Sequence, residues 1–455
     1  MIKKHHVFYM LLLLLLIIPG CRQEIVPEPY KPTHAHDAYL HSLKEANLAD
    51  SALGRDWISS AEEVLKRPID ITLPLEEVFY VSPTETSAVA YRFDVKRGQK
   101  IELEVSIESE KPTHLFIDCF RVQDEAEEDL LLVASANEAE NHLVFEPLRD
   151  AQYIIRMQPE LLRGGRFKVL LRKDASLDFP VKGKTTSAIL SVFGVPRDAG
   201  QRVHNGVDIF ARRHTPVLAP CDARVRRVGE NDLGGNVIWL SDTERSITLY
   251  FAHLQTQDVE SGTEVKAGQQ IGTIGNTGNA RTTPPHLHFG IYAQGTRRRG
   301  AVDPAPYITK IEDTPRSVSA DLDMLGRWAR SKEPDISLRA SARGGSDRIM
   351  ALNQYSPMRI QAAVYRWYRV SLPDGTSGFV YEDSIEPIDE SLENLEAIAN
   401  QEVRETPFLN APAKEVLESG DMFSVLGSYE GYWLIRTFWG NTGWMSIPSA
   451  SIEDK

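Results

Sequence analysis

Apolar and polar positions change rhythm several times along this chain, and each change predicts a different kind of element. Residues 7–18 are an unbroken apolar run behind the basic start Met1-Ile-Lys-Lys. That length suits the apolar core of a signal peptide and is short for a bilayer span. Residues 22–32 are polar and proline-containing, a tether. Apolar residues then return at helical spacing: Ala38, Leu40, Leu43, Ala46, Leu48 and Leu53, followed by Trp57, Ala61, Val64 and Leu65. The spacing predicts a small helical hairpin over 38–66, with Asp56 capping its second helix and Trp57 in the core.

From residue 75 the period becomes two. Lys100-Ile-Glu-Leu-Glu-Val-Ser106 alternates cleanly, and Ala88 to Val95, Tyr153-Ile-Ile-Arg-Met157 and Arg166 to Arg172 continue the pattern. This predicts a β-sandwich over 75–175 that carries no catalytic constellation and serves as scaffold. Between 176 and 312, many short apolar runs separated by turn glycines predict antiparallel β-structure with long loops. The tail repeats itself: Trp367-Tyr-Arg-Val370 precedes Thr376-Ser-Gly-Phe-Val380, and Tyr432-Trp-Leu-Ile435 precedes Asn441-Thr-Gly-Trp-Met445. Two copies imply two small modules, over 325–390 and 398–455. The fold class expected is mainly β and multidomain, behind a short N-terminal helical segment (21–74).

Composition changes this picture little. With 455 residues, 42% hydrophobic and 25% charged, the chain reads as globular, in three or four domains. A formal net charge of -13 argues against nucleic acid as a partner. Besides Cys21 there are only Cys119 and Cys221, which fall in different domains and read as buried free thiols.

The chemistry lies in three short segments: His204-Asn-Gly-Val-Asp208, Phe-Ala-His253-Leu and Pro-His286-Leu-His288-Phe. Two imidazoles and a carboxylate are a normal catalytic zinc set that leaves a coordination position open, and two further imidazoles remain for proton transfer. His286 and His288 sit at i and i+2 in a strand-like run, so both rings face one way. Gly206 would let the chain bend so that His204 and Asp208 reach one metal. No H-E-x-x-H helix is present, so the glutamate base of that metalloprotease class is missing. His5, His6, His34, His36, His41, His114 and His142 show no partner pattern and read as solvated or structural.

These segments resemble the lysostaphin-type (LytM-like) zinc endopeptidases, which cut peptide bonds in peptidoglycan. The likeness runs from about Ser187 to Pro306. It takes in Ser191-Val-Phe-Gly194, Thr215-Pro-Val-Leu-Ala-Pro220, Gly262-Thr-Glu-Val-Lys-Ala-Gly268 and Ile271-Gly-Thr-Ile-Gly-Asn-Thr-Gly278. The resemblance implies a peptidase domain over 176–312, with one Zn2+ on His204, Asp208 and His288 and with His253 and His286 as the catalytic histidines. Gly234, Gly235, Gly275 and Gly278 would set loop shapes. His214 departs from the pattern, standing where a glycine or similarly small residue is expected.

Other resemblances concern location and partners. Ile18-Pro-Gly-Cys21 resembles a bacterial lipobox, which implies cleavage after residue 20, lipidation of Cys21 and a place in the cell envelope on a membrane. Arg22 rather than Asp after the cysteine favours the outer membrane. The 75–175 region is similar to the jelly-roll sandwiches found beside secreted bacterial peptidases. The tail modules resemble bacterial SH3-like barrels, which implies wall binding and a gain in affinity through avidity. The function expected is a zinc-dependent, lipid-anchored endopeptidase acting on peptidoglycan cross-links. The alternative is a non-hydrolytic envelope regulator that activates a cell-wall amidase with the same fold. A regulatory envelope partner is left unnamed.

Overall fold

The computed structural model describes residues 31–123, 130–137, 140–293 and 300–447. The apolar run 7–18 and Cys21 lie outside them. Two helices, α1 (Ala35–Glu45) and α2 (Ala52–Lys66), form the hairpin. α2 begins a turn earlier than expected. Ser51 is its cap, accepting the Gly54 N–H at 3.1 Å, and Asp56 lies inside the helix. A serine hydroxyl at that point satisfies one of the orphan N–H groups of the first turn. Trp57 is core, 1% exposed, among Leu43, Ala49 and Phe116, and its indole N–H donates to the Pro159 carbonyl at 2.9 Å.

Two sheets face each other in the region that follows. One is five-stranded, with Val89–Val95, Ala151–Pro159 and Leu115–Val122 as neighbours at its centre. The other includes Leu75–Val81, Gly165–Ala175, Gln99–Glu108 and His142–Phe145. Their inner faces share Tyr91, Phe93, Ile101, Leu103, Ile117, Ile155, Phe167 and Val169, which is where the period-two pattern put the apolar side chains.

The second sheet continues past the sandwich. Strand Leu75–Val81 pairs antiparallel with Pro357–Val364 of the first tail repeat, Val78 opposite Ala363, so that one eleven-stranded sheet spans both regions. Buried charge reinforces this junction. Arg369 in the repeat holds Glu77 at 2.9 Å, and the Tyr91 hydroxyl donates to the same carboxylate. Leu426, Leu434 and Trp444 of the second repeat pack in one core with Ala329, Ile360 and Val370 of the first. The repeats are therefore joined to the body of the chain. An open sheet edge is covered by pairing it, and a buried ion pair that loses a partner is strongly destabilising.

Residues 189–293 contribute most of a ten-stranded sheet. Along its path lie Ile189–Ser191, Val207–Phe210, His286–Ala293, Ile247–Gln257, Gly235–Asp242 and Ala223–Asn231. One face buries Val207, Ile209, Leu249, Phe251, Leu287, Phe289 and Ile291. Alternation then sends Asp208, His286, His288, Tyr250 and Trp239 to the opposite face. Arg245 ties this sheet to the sandwich, reaching Asp242 at 2.9 Å and Glu146 at 2.8 Å. Cys119 and Cys221 are free and buried, and burial pushes both thiols up.

Candidate metal centre

Strand pairing brings the first and third segments together. Asp208 lies directly opposite His288, and Phe210 opposite His286, on antiparallel neighbours. His204 comes from the loop ahead of Val207–Phe210. Its Nε2 stands 3.0 Å from Asp208 Oδ1 and 3.0 Å from His288 Nδ1, and His288 Nδ1 is 3.0 Å from the same Oδ1. The chain bends at Gly206, between His204 and Asp208, as expected, and space is a second reason for glycine there. A Cβ there would meet the Phe289 carbonyl at 2.4 Å and the His288 ring at 2.9 Å.

His253 reaches the site by a different route. Strict alternation after Phe251 would send it toward the core. Two residues, Ala252 and His253, stand against one on the neighbouring strand, because Asn236 pairs with Leu254 and Ile238 with Phe251. His253 sits in this bulge at φ 63°, a left-handed backbone that turns its ring to the metal face. Its ring centroid is 5.0 Å from that of His286 and 6.1 Å from that of His288. The loops around it are held by back-to-back glycines: a Cβ on Gly235 would strike Gly278 N at 2.4 Å, and one on Gly278 would strike Gly235 N at 2.3 Å. His214 also has a positive φ, 67°, which accounts for the small residue expected there.

The hydrogen bonds fix the tautomers. His204 Nδ1 faces the Val192 carbonyl at 2.9 Å, His253 Nδ1 the Thr277 carbonyl at 2.9 Å, and His286 Nδ1 the Pro284 carbonyl at 2.9 Å. A carbonyl only accepts, so each Nδ1 carries the proton and each Nε2 presents a lone pair. In the triangle, the His204 lone pair therefore faces a carboxylate oxygen and a second imidazole nitrogen. Three donor atoms crowded together in this way suit a metal ion. Zinc ligands in a tetrahedral set stand about 3.3 Å apart, close to the spacing seen here. Among the described residues, His204, Asp208 and His288 are one of two groups whose donor atoms could hold a metal; the other is the more exposed Glu102, Glu104 and His142. Arg172 already reaches both of those glutamates, at 3.2 and 2.9 Å.

The site's electrostatics suit a metal. Burial pushes the Asp208 carboxyl up, but its close contacts with His204 and His288 outweigh this and hold it well below the usual carboxylate range. Burial lowers His288, and burial together with neighbouring His286 lowers His253 to about 4. An ionised carboxylate and neutral imidazoles are the forms that bind metal.

The sequence reading missed one residue here. Arg197 Nη2 donates to Asp208 Oδ2 at 2.7 Å and to Ser191 Oγ at 2.6 Å, leaving Oδ1 to face the two imidazoles. It arrives through a short hairpin of Pro196–Arg197 and Arg202–Val203, which no local periodicity announces. Trp239, Tyr250 and Tyr292 also lie on the metal face, where alternation in Val237-Ile-Trp-Leu, Leu249-Tyr-Phe and Ile291-Tyr-Ala places them.

The region that holds this site is similar to known proteins. Residues 202–304 match Peptidase family M23, a span that contains all five site residues, so the chain carries a Peptidase family M23 domain. Over 138 residues it is 36% identical to the L-Ala--D-Glu endopeptidase of Bacillus subtilis, covering 29% of this chain and 42% of that protein. It is 38% identical over 97 residues to the peptidoglycan DD-endopeptidase ShyC of Vibrio cholerae, covering 21% of this chain and 22% of that one. It is also 38% identical over 115 residues to the uncharacterized lipoprotein YgeR of Escherichia coli, covering 25% of this chain and 43% of that one. The matched region thus spans less than half the length of each of these relatives. A solved structure of LytU aligns at 33% identity with a TM-score of 0.25, covering 28% of this chain and 87% of that one.

Proposed function

We propose that this chain is a zinc-dependent peptidase that hydrolyses peptide bonds of bacterial peptidoglycan. The observation that carries the reading is the convergence of His204 Nε2, Asp208 Oδ1 and His288 Nδ1 at 3.0 Å, with His253 and His286 beside them. Zinc in such a site supplies Lewis-acid polarisation and acidifies water.

The chain's own residues do the rest. His204, Asp208 and His288 hold the ion, and Arg197 fixes the carboxylate that faces it. His253 and His286 each direct an unprotonated Nε2 away from a backbone carbonyl that anchors the other nitrogen. One accepts the proton of the attacking water. The imidazolium so formed can donate to the developing oxyanion or to the leaving amine. The two histidines act jointly, as base and as oxyanion stabiliser.

The names of the relatives support peptidoglycan as the substrate, and they differ in the bond cut. Lipidation at Cys21, a place in the envelope (the outer membrane favoured) and wall binding by the tail repeats belong to the same proposal. They rest on the lipobox-like and repeat motifs, and on YgeR being called a lipoprotein. The test is to incubate the chain from residue 22 with purified cross-linked peptidoglycan, with and without zinc, beside His288→Ala. Zinc-dependent release of peptide fragments, absent in the variant, is expected. A folded, zinc-loaded protein that releases none favours the regulatory alternative.

A further inference from the structure

The metal face of the sheet continues beyond the metal ligands as a row of aromatic rings. Tyr250 stands edge-on to His288 with centroids 5.9 Å apart. Trp239 pairs with Tyr250 across the neighbouring strands, at 4.2 Å. Tyr292, two residues along the strand from Gly290, lies 5.4 Å from Trp239 and 6.4 Å from Tyr250. These three large rings are partly exposed, and none belongs to the core under this sheet or is packed against it among the described residues. Glycine at 290 leaves room beside the row, because a Cβ there would come within 3.2 Å of the Asn205 carbonyl and 3.3 Å of the Tyr292 ring. Among the described residues, no hydrophobic core covers these three rings on the polar side of the strands.

Resting on the peptidase reading, we propose that Trp239, Tyr250 and Tyr292 form a stacking subsite for a sugar ring of the glycan strand. Peptidoglycan stems are built of alanine, acidic and diamino residues, which offer no broad flat face. The pyranose rings do, and aromatic rings half open to water are suited to cover such faces. The subsite adjoins a metal ligand directly, and an extended residue spans only about 3.5 Å. A sugar on this platform therefore brings the first or second peptide bond of its own stem to the metal. Distal cross-links, several residues farther out, are not placed there. Water adds across that amide, giving a carboxylate on the glycan side and an amine on the released peptide.

The test uses the zinc-loaded chain from residue 22, with Trp239→Ala and Tyr292→Ala; Tyr250 is left intact because it touches His288. Two readouts are taken. Saturation-transfer NMR follows the peptide-free disaccharide of N-acetylglucosamine and N-acetylmuramic acid, which cannot be cleaved. Hydrolysis is followed on the disaccharide-linked stem and on the same stem without sugars. The expected result is weaker disaccharide binding in both variants, and a wild-type kcat/KM about tenfold higher on the sugar-linked stem, a preference lost through KM in the variants. Zinc content and cleavage of the bare stem should not change. Equal disaccharide binding in wild type and variants, or no preference between the stems in wild type, overturns the subsite. If the variants lose disaccharide binding but no preparation cleaves either stem, the subsite stands and the peptidase reading falls.

Discussion

A buried histidine in the N-terminal hairpin and the buried histidines of the metal centre use the same side chain in opposite ways. In the N-terminal hairpin, His36 is 7% exposed, its Nε2 donates to Gln158 Oε1 at 2.8 Å, and its ring stacks on Trp57 at 4.7 Å. Its Nε2 and its ring face have partners within the fold. At the metal centre, His204, His253 and His286 are anchored by one nitrogen to a backbone carbonyl, and the other nitrogen is turned toward a shared space. A satisfied histidine is structural. Several histidines pinned on one side and aimed at a common point are chemical.

That contrast predicts which substitutions strike activity and which strike stability. The largest effect is expected from His286→Ala or His253→Ala: kcat falls by about 10²–10⁴ while zinc content is kept, because proton transfer is removed and the ligands stay. Metal analysis beside turnover on purified cell wall checks this, and loss of zinc in either variant would make that histidine a ligand.

For His36 the sign follows from burial, which lowers its pKa from 6.5 to about 4, with the charge of Arg156 adding to the effect. The unfolded chain binds the proton first as pH falls, so stability is intact above pH 6.5 and drains away toward pH 4. The loss should be on the order of 3 kcal/mol at most. Hydrogen exchange in α1 and α2 at pH 7 and pH 5 reads it, and His36→Leu should flatten the difference. A smaller effect is expected from Arg197→Ala. Freed from its partner, the Asp208 carboxylate wanders, and zinc affinity should drop about 10–100-fold with the bound site still active.

Much of the centre was legible in sequence because strand alternation is a local rule. His286 and His288 two apart share a face, and Asp208 on an antiparallel neighbour meets them. Where a local rule breaks, sequence reading stops. His253 was assigned a role by resemblance, yet only the bulge at φ 63° explains how it reaches the metal face. Gly206 was expected to let the chain bend, and it does, but the Phe289 carbonyl and the His288 ring pressed against it are a further reason that no sequence pattern shows. Arg197 depends on a hairpin folding back, and the sheet shared by the sandwich and the first repeat depends on an edge pairing between residues far apart in the chain. Asp56 stands nearer the Trp57-led apolar run than the actual cap, Ser51, does, so local pattern alone favours the wrong residue.

The central claim is that five residues from three segments make one hydrolytic metal site. It is tested most directly by measuring zinc content and peptidoglycan hydrolysis on the same preparations of wild type and His288→Ala. One zinc per chain with hydrolysis in wild type, and neither in a folded His288→Ala, is the predicted result. Hydrolysis that survives in His288→Ala, or in protein stripped of metal, would contradict it.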